Sequence, residues 1–175
     1  MRKSALLLVF ASLALTSPAS ADLRTARLQI PDAELVGEGR LKFLFWSVFD
    51  ATLYAPDGVW SDDKPFALSL SYLRDLEGKS IVEASIDEMR KQGMTDDATL
   101  QRWGEQMAGI FLDVDDRTTL TGVVDENGDA LFYRNGEPAG AIRDPEFSRR
   151  FFDIWLGEKT SNPELRAQLI GSASS

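Results

Sequence analysis

Phe66 to Leu73 alternates along its whole length: Phe66, Leu68, Leu70 and Tyr72 fall on one side, Ala67, Ser69, Ser71 and Leu73 on the other. A period of two predicts a strand with one buried face. Similar runs precede it. Arg27 to Ile30 is short, alternates and stops at Pro31, while Leu41 to Phe45 and Val48 to Tyr54 are rich in aromatic and β-branched residues. Pro56-Asp57-Gly58 then signals a turn.

After Leu73 the period changes to three and four. Ser80-x-x-Glu83 reads as a capping box opening a helix over Ile81 to Gln92, with Val82, Ser85, Ile86 and Met89 on one stripe and Gly93 as the stop. Asp97 is positioned to cap a second helix, in which Leu100, Trp103, Met107 and Ile110 recur on one face. Such an aromatic and methionine stripe reads as core.

Strand patterns return with Thr118 to Val124, Ala130 to Arg134 and Ala139 to Ile142, separated by turns at Glu126 to Asp129 and at Asn135-Gly136. Asn127-Gly128 and Asn135-Gly136 each favour a type I′ hairpin, so the three strands form a meander. Asp144-Pro145 supplies an N-cap and a proline at the first helical position for a helix carrying Phe147, Phe151, Ile154 and Trp155. Asn162-Pro163 repeats the device for Glu164 to Ile170, ended by Gly171. Strands, helices, strands, helices without regular alternation predict an α+β fold: a large antiparallel sheet with a layer of helices on one face.

The N-terminus departs from this pattern. Arg2 and Lys3 precede an apolar run from Ala5 to Leu15, and Ala19-Ser20-Ala21 is a small-x-small cleavage site. This is the layout of a secretory signal peptide over residues 1–21, cleaved before Asp22. The apolar run is too short for the roughly 20 residues that span a bilayer. The expectation is therefore a periplasmic or secreted protein, with one domain over residues 22–171 and a small polar tail at 172–175. No cysteine follows the cleavage site, so a lipid-modified N-terminus is not expected.

Composition narrows the chemistry. The 175 residues carry a formal charge of −9, which disfavours nucleic acid and anionic headgroups as partners. There is no histidine and no cysteine, which rules out Ser-His-Asp and Cys-His catalysis, disulfides, and the usual zinc, copper or haem ligation. Asp113, Asp115 and Asp116 form the densest acidic cluster, but without EF-hand spacing they read as a solvated turn. No cofactor and no metal are expected, and no second apolar run calls for stable membrane insertion.

A few residues could build a site. Gly37-x-Gly39 is too short for a dinucleotide fingerprint. Tyr54, Trp60, Tyr72 and Tyr133 could line a pocket, although aromatic residues in strands are usually core. Arg40 opens the Leu41 to Phe45 strand and Asp50 lies within the next one. A charge on a buried strand must be paired, so three readings stand side by side: an anion site built on Arg40 beside a tyrosine hydroxyl, an Arg40–Asp50 ion pair, or strand-end charges reaching water.

The run Val36-Gly37-Glu38-Gly39-Arg40, followed by Val48-Phe49-Asp50-Ala51-Thr52-Leu53-Tyr54, resembles the opening of chalcone isomerase-like proteins. Phe151-Phe152-Asp153-Ile154-Trp155-Leu156-Gly157, Pro163-Glu164-Leu165-Arg166, and Asn135-Gly136-Glu137-Pro138 with Ala141-Ile142 are similar to the bacterial, exported branch of that family. The resemblance implies an open-faced β-sandwich with a cleft between sheet and helices. In plant enzymes of the family the cleft holds a flavonoid, and in non-catalytic relatives a fatty acid. It further implies that Arg40 matches the family arginine that contacts the ligand's anionic oxygen. Phe49 stands where catalytic members carry threonine and fatty-acid binders tyrosine, so the second hydroxyl donor is missing.

Three functions follow as expectations. The first is a non-catalytic periplasmic protein binding a small amphipathic anion such as a fatty acid, with Arg40, Phe49 and Tyr72 as ligand contacts. The second is an isomerase, an intramolecular lyase acting on an enone-like substrate, which needs a hydroxyl donor in reach of Arg40. The third is a protein-interaction module whose cleft is filled by side chains such as Trp103, Phe111, Phe151, Phe152 and Trp155. Phe49 turns the balance away from catalysis.

Overall fold

The computed structural model describes residues 18–171, with side chains from Asp22 onward. The apolar run of the expected signal peptide and the tail at 172–175 lie outside the described residues. A first helix, α1 (Pro18–Ala26), crosses the expected cleavage position. Then come β1 (Ala33–Phe43), β2 (Trp46–Pro56) and β3 (Phe66–Tyr72), α2 (Gly78–Lys91) and α3 (Asp97–Ala108). The meander β4 (Thr119–Val124), β5 (Ala130–Arg134) and β6 (Glu137–Ile142) follows, and α4 (Pro145–Leu156) and α5 (Pro163–Leu169) close the chain.

The two strand groups join in one six-stranded sheet in the order β1-β2-β3-β4-β5-β6, with every neighbouring pair antiparallel. The joint is the β3–β4 pair, where Ser69 meets Thr121 and Leu70 meets Leu120. Front-face residues such as Leu53, Leu68 and Phe132 pack with Met89, Trp103 and Phe151 from the helices in the principal core. The back face carries a smaller cluster in which Tyr54, Ala67, Val123 and Tyr133 pack with Ala26 and Ile30.

That second cluster changes the reading of β3. Its back-face residues Ala67 and Ser69 are as buried as its front face, because α1 covers them and Ser69 Oγ meets Thr121 Oγ1 at 2.8 Å. The strand expected to be half-buried is buried on both sides. Arg27 to Ile30 is a series of turns after α1 rather than a strand, since only Ile30 reaches the back cluster while Leu28 stays exposed.

Local signals held to different degrees. Asp144 caps α4 as expected, accepting from the backbone N–H of Glu146 and Phe147. The carboxylate also accepts from the Trp103 indole at 3.0 Å, tying α3 to α4. At the start of α2 the N-cap is Glu77, without a side-chain cap, and Ser80 lies inside the helix. An earlier start is enforced by packing: a Cβ on Gly78 would collide with the backbone of Phe111 and Leu112, so the helix begins where only glycine fits. Asp96, not Asp97, caps α3, accepting from Ala98 N–H.

Asn135 and Gly136 both have positive φ, the type I′ signature. At Asn127-Gly128 only the glycine does. There Asp125 organises the turn instead, accepting from the backbone N–H groups of Asn127 and Asp129.

Candidate ligand-binding site

Between the front of the sheet and helices α2 and α4 lies a cavity of about 510 Å³. This is within the range of about 300–1,000 Å³ usual for small-molecule sites. Its deep wall is apolar: Leu68, Leu70 and Leu120 from the sheet, Phe151, Phe152 and Ile154 from α4. Gly122 shapes this wall. A Cβ there would sit 2.7 Å from the Phe152 ring, so the missing side chain lets the ring lie against the sheet. The rim is formed by partly exposed residues, among them Lys42, Phe43, Ser80, Ala84 and Asn162.

The fold places the expected site residues on two faces. Phe49 and Tyr72 both line the cavity, side by side on β2 and β3 in direct register, with their rings edge to face at 5.8 Å. Arg40 does not line it. Asp50 alternates with Phe49 and Ala51 and so projects from the back of the sheet, and Arg40 lies opposite Asp50 in the β1–β2 ladder. Arg40 Nε donates to Asp50 Oδ1 at 2.5 Å and Nη2 to Oδ2 at 2.8 Å, a bidentate pair that leaves both side chains about half exposed. Hydrogen bonding to Asp50 pushes the guanidinium pKa further up. The contact expected between Arg40 and a ligand in the cleft is therefore not the one the strand alternation provides. The hydroxyl donor an isomerase needs beside this arginine is also missing from its hydrogen bonds, which go to Asp50.

Of the other aromatic candidates, Tyr54 and Tyr133 pack in the back cluster and Trp60 against the edge of the principal core. The aromatic load of the helices does not close the cleft. Phe111, Phe151, Phe152 and Trp155 line it, and Trp103 is buried elsewhere, bonded to Asp144.

Tyr72 brings a polar group to this wall. It is 4% exposed, and among the described residues its hydroxyl has no hydrogen-bond partner. Burial pushes its pKa far up, so it remains a neutral donor, while the positive charge of Arg134 acts in the opposite direction. Sequence reasoning passed over Arg134. It sits on β5 opposite Leu120, where its Nη2 donates to the Asp113 carbonyl at 2.7 Å, and its buried Nη1 has no hydrogen-bond partner among the described residues. Arg134 lines a neighbouring concavity with Asp75, Glu77, Asp113 and Asp115, and its charge offsets part of what burial costs an anionic oxygen beside the Tyr72 hydroxyl. The hint in the sequence was a charge bounding an apolar strand: Arg134 ends one, as Arg40 opens another.

Lys42 and Glu88 at the rim were also missed. Glu88 is already engaged. Burial opposes its ionisation, but Lys91 and Ser161 donate to it and hold its pKa below the usual carboxylate value. Asp113 accepts from the Gly78 N–H at the start of α2 and Asp115 from Thr118 and Arg117 within its own turn, and no metal-binding cluster occurs among the described residues.

A family model described as chalcone isomerase-like matches residues 19–171. The chain belongs to that family. The glycines of its Gly37-x-Gly39 motif serve packing: a Cβ on Gly37 would strike the carbonyls of Gln168 and Leu169, and one on Gly39 the Leu165 side chain at 2.7 Å, so α5 seats directly on β1. An uncharacterised protein of Haemophilus influenzae is 26% identical over 130 residues, which cover 73% of this chain but only 63% of that relative. The crystal structure of a fatty-acid binding protein from Arabidopsis thaliana superposes with a TM-score of 0.63 at 16% identity. The match covers 81% of this chain and 88% of that one. At that identity the likeness establishes the shared fold.

Proposed function

We propose that this chalcone isomerase-like protein is a non-catalytic binding protein for a small amphipathic anion such as a fatty acid, acting in the periplasm. The observation that carries the reading is the 510 Å³ apolar cavity with Tyr72 as a neutral donor in its wall. The phenylalanine and leucine side chains accept an acyl chain through apolar burial, at about 25 cal/mol per Å² removed from water. The Tyr72 hydroxyl donates to the head group, and the Arg134 charge offsets part of the cost of burying an anion at that end. The fatty-acid binding named for the structurally similar Arabidopsis protein agrees with this choice of ligand. The apolar N-terminal run supports export.

The test is native mass spectrometry of protein from its own host, followed by titration with a panel of fatty acids and their methyl esters. Tyr72→Phe is expected to weaken carboxylate binding about tenfold or more, the scale of one hydrogen bond to a charged group, and to leave the esters little changed. Arg40→Ala should change neither. Failure of every acid to bind would overturn the reading. Loss of acid binding in Lys42→Ala but not Tyr72→Phe would move the head group to the rim.

A further inference from the structure

The tip of the β1–β2 hairpin breaks the rules the rest of the fold obeys. Phe43 is 69% exposed, Leu44 77%, Phe45 98% and Trp46 63%, four large apolar side chains in a row. Leu44 also has a φ of 55° in a two-residue connection between the paired Phe43 and Trp46. The first central residue of such a turn favours glycine. The other described non-glycine residues with positive φ, Asp57 and Asn135, are types that tolerate it. Leucine at this spot opposes local folding, and a fully exposed phenylalanine beside it opposes solubility. Neither residue lines the cavity, so ligand packing does not explain them.

Two further observations say what covers this tip. The cations flanking it, Lys42 and Arg74, have no carboxylate partner among the described residues, although the chain as a whole carries −9. Arg74 lies over the Trp46 ring at 5.4 Å. Asp50 is neutralised by Arg40, and Asp75 lines a separate concavity with Glu77, Asp113 and Arg134. Exposed aromatics flanked by two cations without carboxylate partners, Lys42 and Arg74, match an anionic bilayer interface, where aromatic side chains partition and basic residues meet phosphate. A second copy of the chain fits less well: four side chains of at most about 200 Å² each, partly covered, fall short of the ~800 Å² per partner in a stable dimer. The tip is also continuous with the cavity, since Lys42 and Phe43 belong to both.

We propose that the Phe43–Trp46 hairpin docks the protein on an anionic lipid surface and that the ligand enters the cavity from that surface. The docking stands on the hairpin alone, and the entry route rests on the binding function proposed above. The test uses protein purified from its own host, without added ligand, in flotation with phosphatidylglycerol/phosphatidylethanolamine vesicles. The variant is Leu44→Gly with Phe45→Ser, which favours the turn and lies outside the cavity lining.

The wild type is expected to float with anionic vesicles and much less with purely zwitterionic ones. The variant should lose at least tenfold of that binding while keeping its melting temperature and its affinity for dissolved fatty acid. Transfer of a fluorescent fatty acid from vesicles should slow in parallel. Equal flotation of both proteins, or none by the wild type, would overturn the docking. A concentration-dependent dimer abolished by the same variant would overturn it in favour of self-association. Vesicle binding without any fatty-acid binding would leave the docking standing and remove the entry route together with the proposed function.

Discussion

Tyr72 and Arg40 show how one residue's face of a strand decides its role. Both are polar residues in apolar strands, yet Tyr72 points into the cavity and Arg40 away from it, toward Asp50. Asp22 is the second residue whose setting sets its chemistry. It lies in α1 and is 8% exposed, and burial raises its carboxyl pKa to about 6 from 3.8. A folded-state pKa above the unfolded value means the fold binds that proton more tightly. Stability from this group is complete below pH 3.8 and is lost as pH rises through about 6. In the uncleaved full-length chain, Asp22→Asn is therefore expected to stabilise the protein at pH 8 by about 1–2 kcal/mol, after discounting for partial solvent screening. At pH 3.5 the difference should vanish. Urea denaturation at the two pH values checks both, and an equal effect at each would refute the assignment.

At the scale of elements, the helices are held to the sheet by glycine contacts and one multiply used cap. Asp144 accepts from two backbone N–H groups and the Trp103 indole, and although burial opposes its ionisation these donors hold its pKa below the ordinary value. Asp144→Ala is expected to cost about 1–2 kcal/mol near neutral pH, the usual loss for an N-cap, read as a lower urea midpoint. Because the folded pKa is depressed, that contribution is present above pH 3.8 and declines as pH falls through the lower folded value. The gap between variant and wild type should narrow in acid. The capping sequences Asp144-Pro145 and Asn162-Pro163 made these helix starts legible in advance. The start of α2 was not, because Gly78 is chosen by its contact with Phe111, a residue 33 positions away that no local window contains.

The cavity is a property of the whole molecule, walled by residues of five strands, β1 to β5, and of helices α2 and α4. If ligand access is through the rim, a bulky side chain there should close it without disturbing the core. Ala84 lies on the exposed side of α2 at the rim, so Ala84→Trp is expected to lower fatty-acid affinity at least tenfold with an unchanged melting temperature. Unchanged affinity would place the entrance elsewhere. The sequence by itself determined β2 to β6 and α2 to α5 to within a few residues of their ends, because periodicity, caps and Asn-Gly turns act locally; α1, the turns at Arg27 to Ile30 and the full length of β1 escaped it. It also determined the family, the missing histidine and cysteine chemistry, and Phe49 and Tyr72 as candidates for the wall. Only the tertiary structure decided the order and register of the strands, that α1 buries the back of β3, and that Arg40 belongs to Asp50 while Arg134 lies near Tyr72. Those outcomes depend on register: a shift of one residue moves every side chain of a strand to the opposite face, and pairing between distant segments sets it.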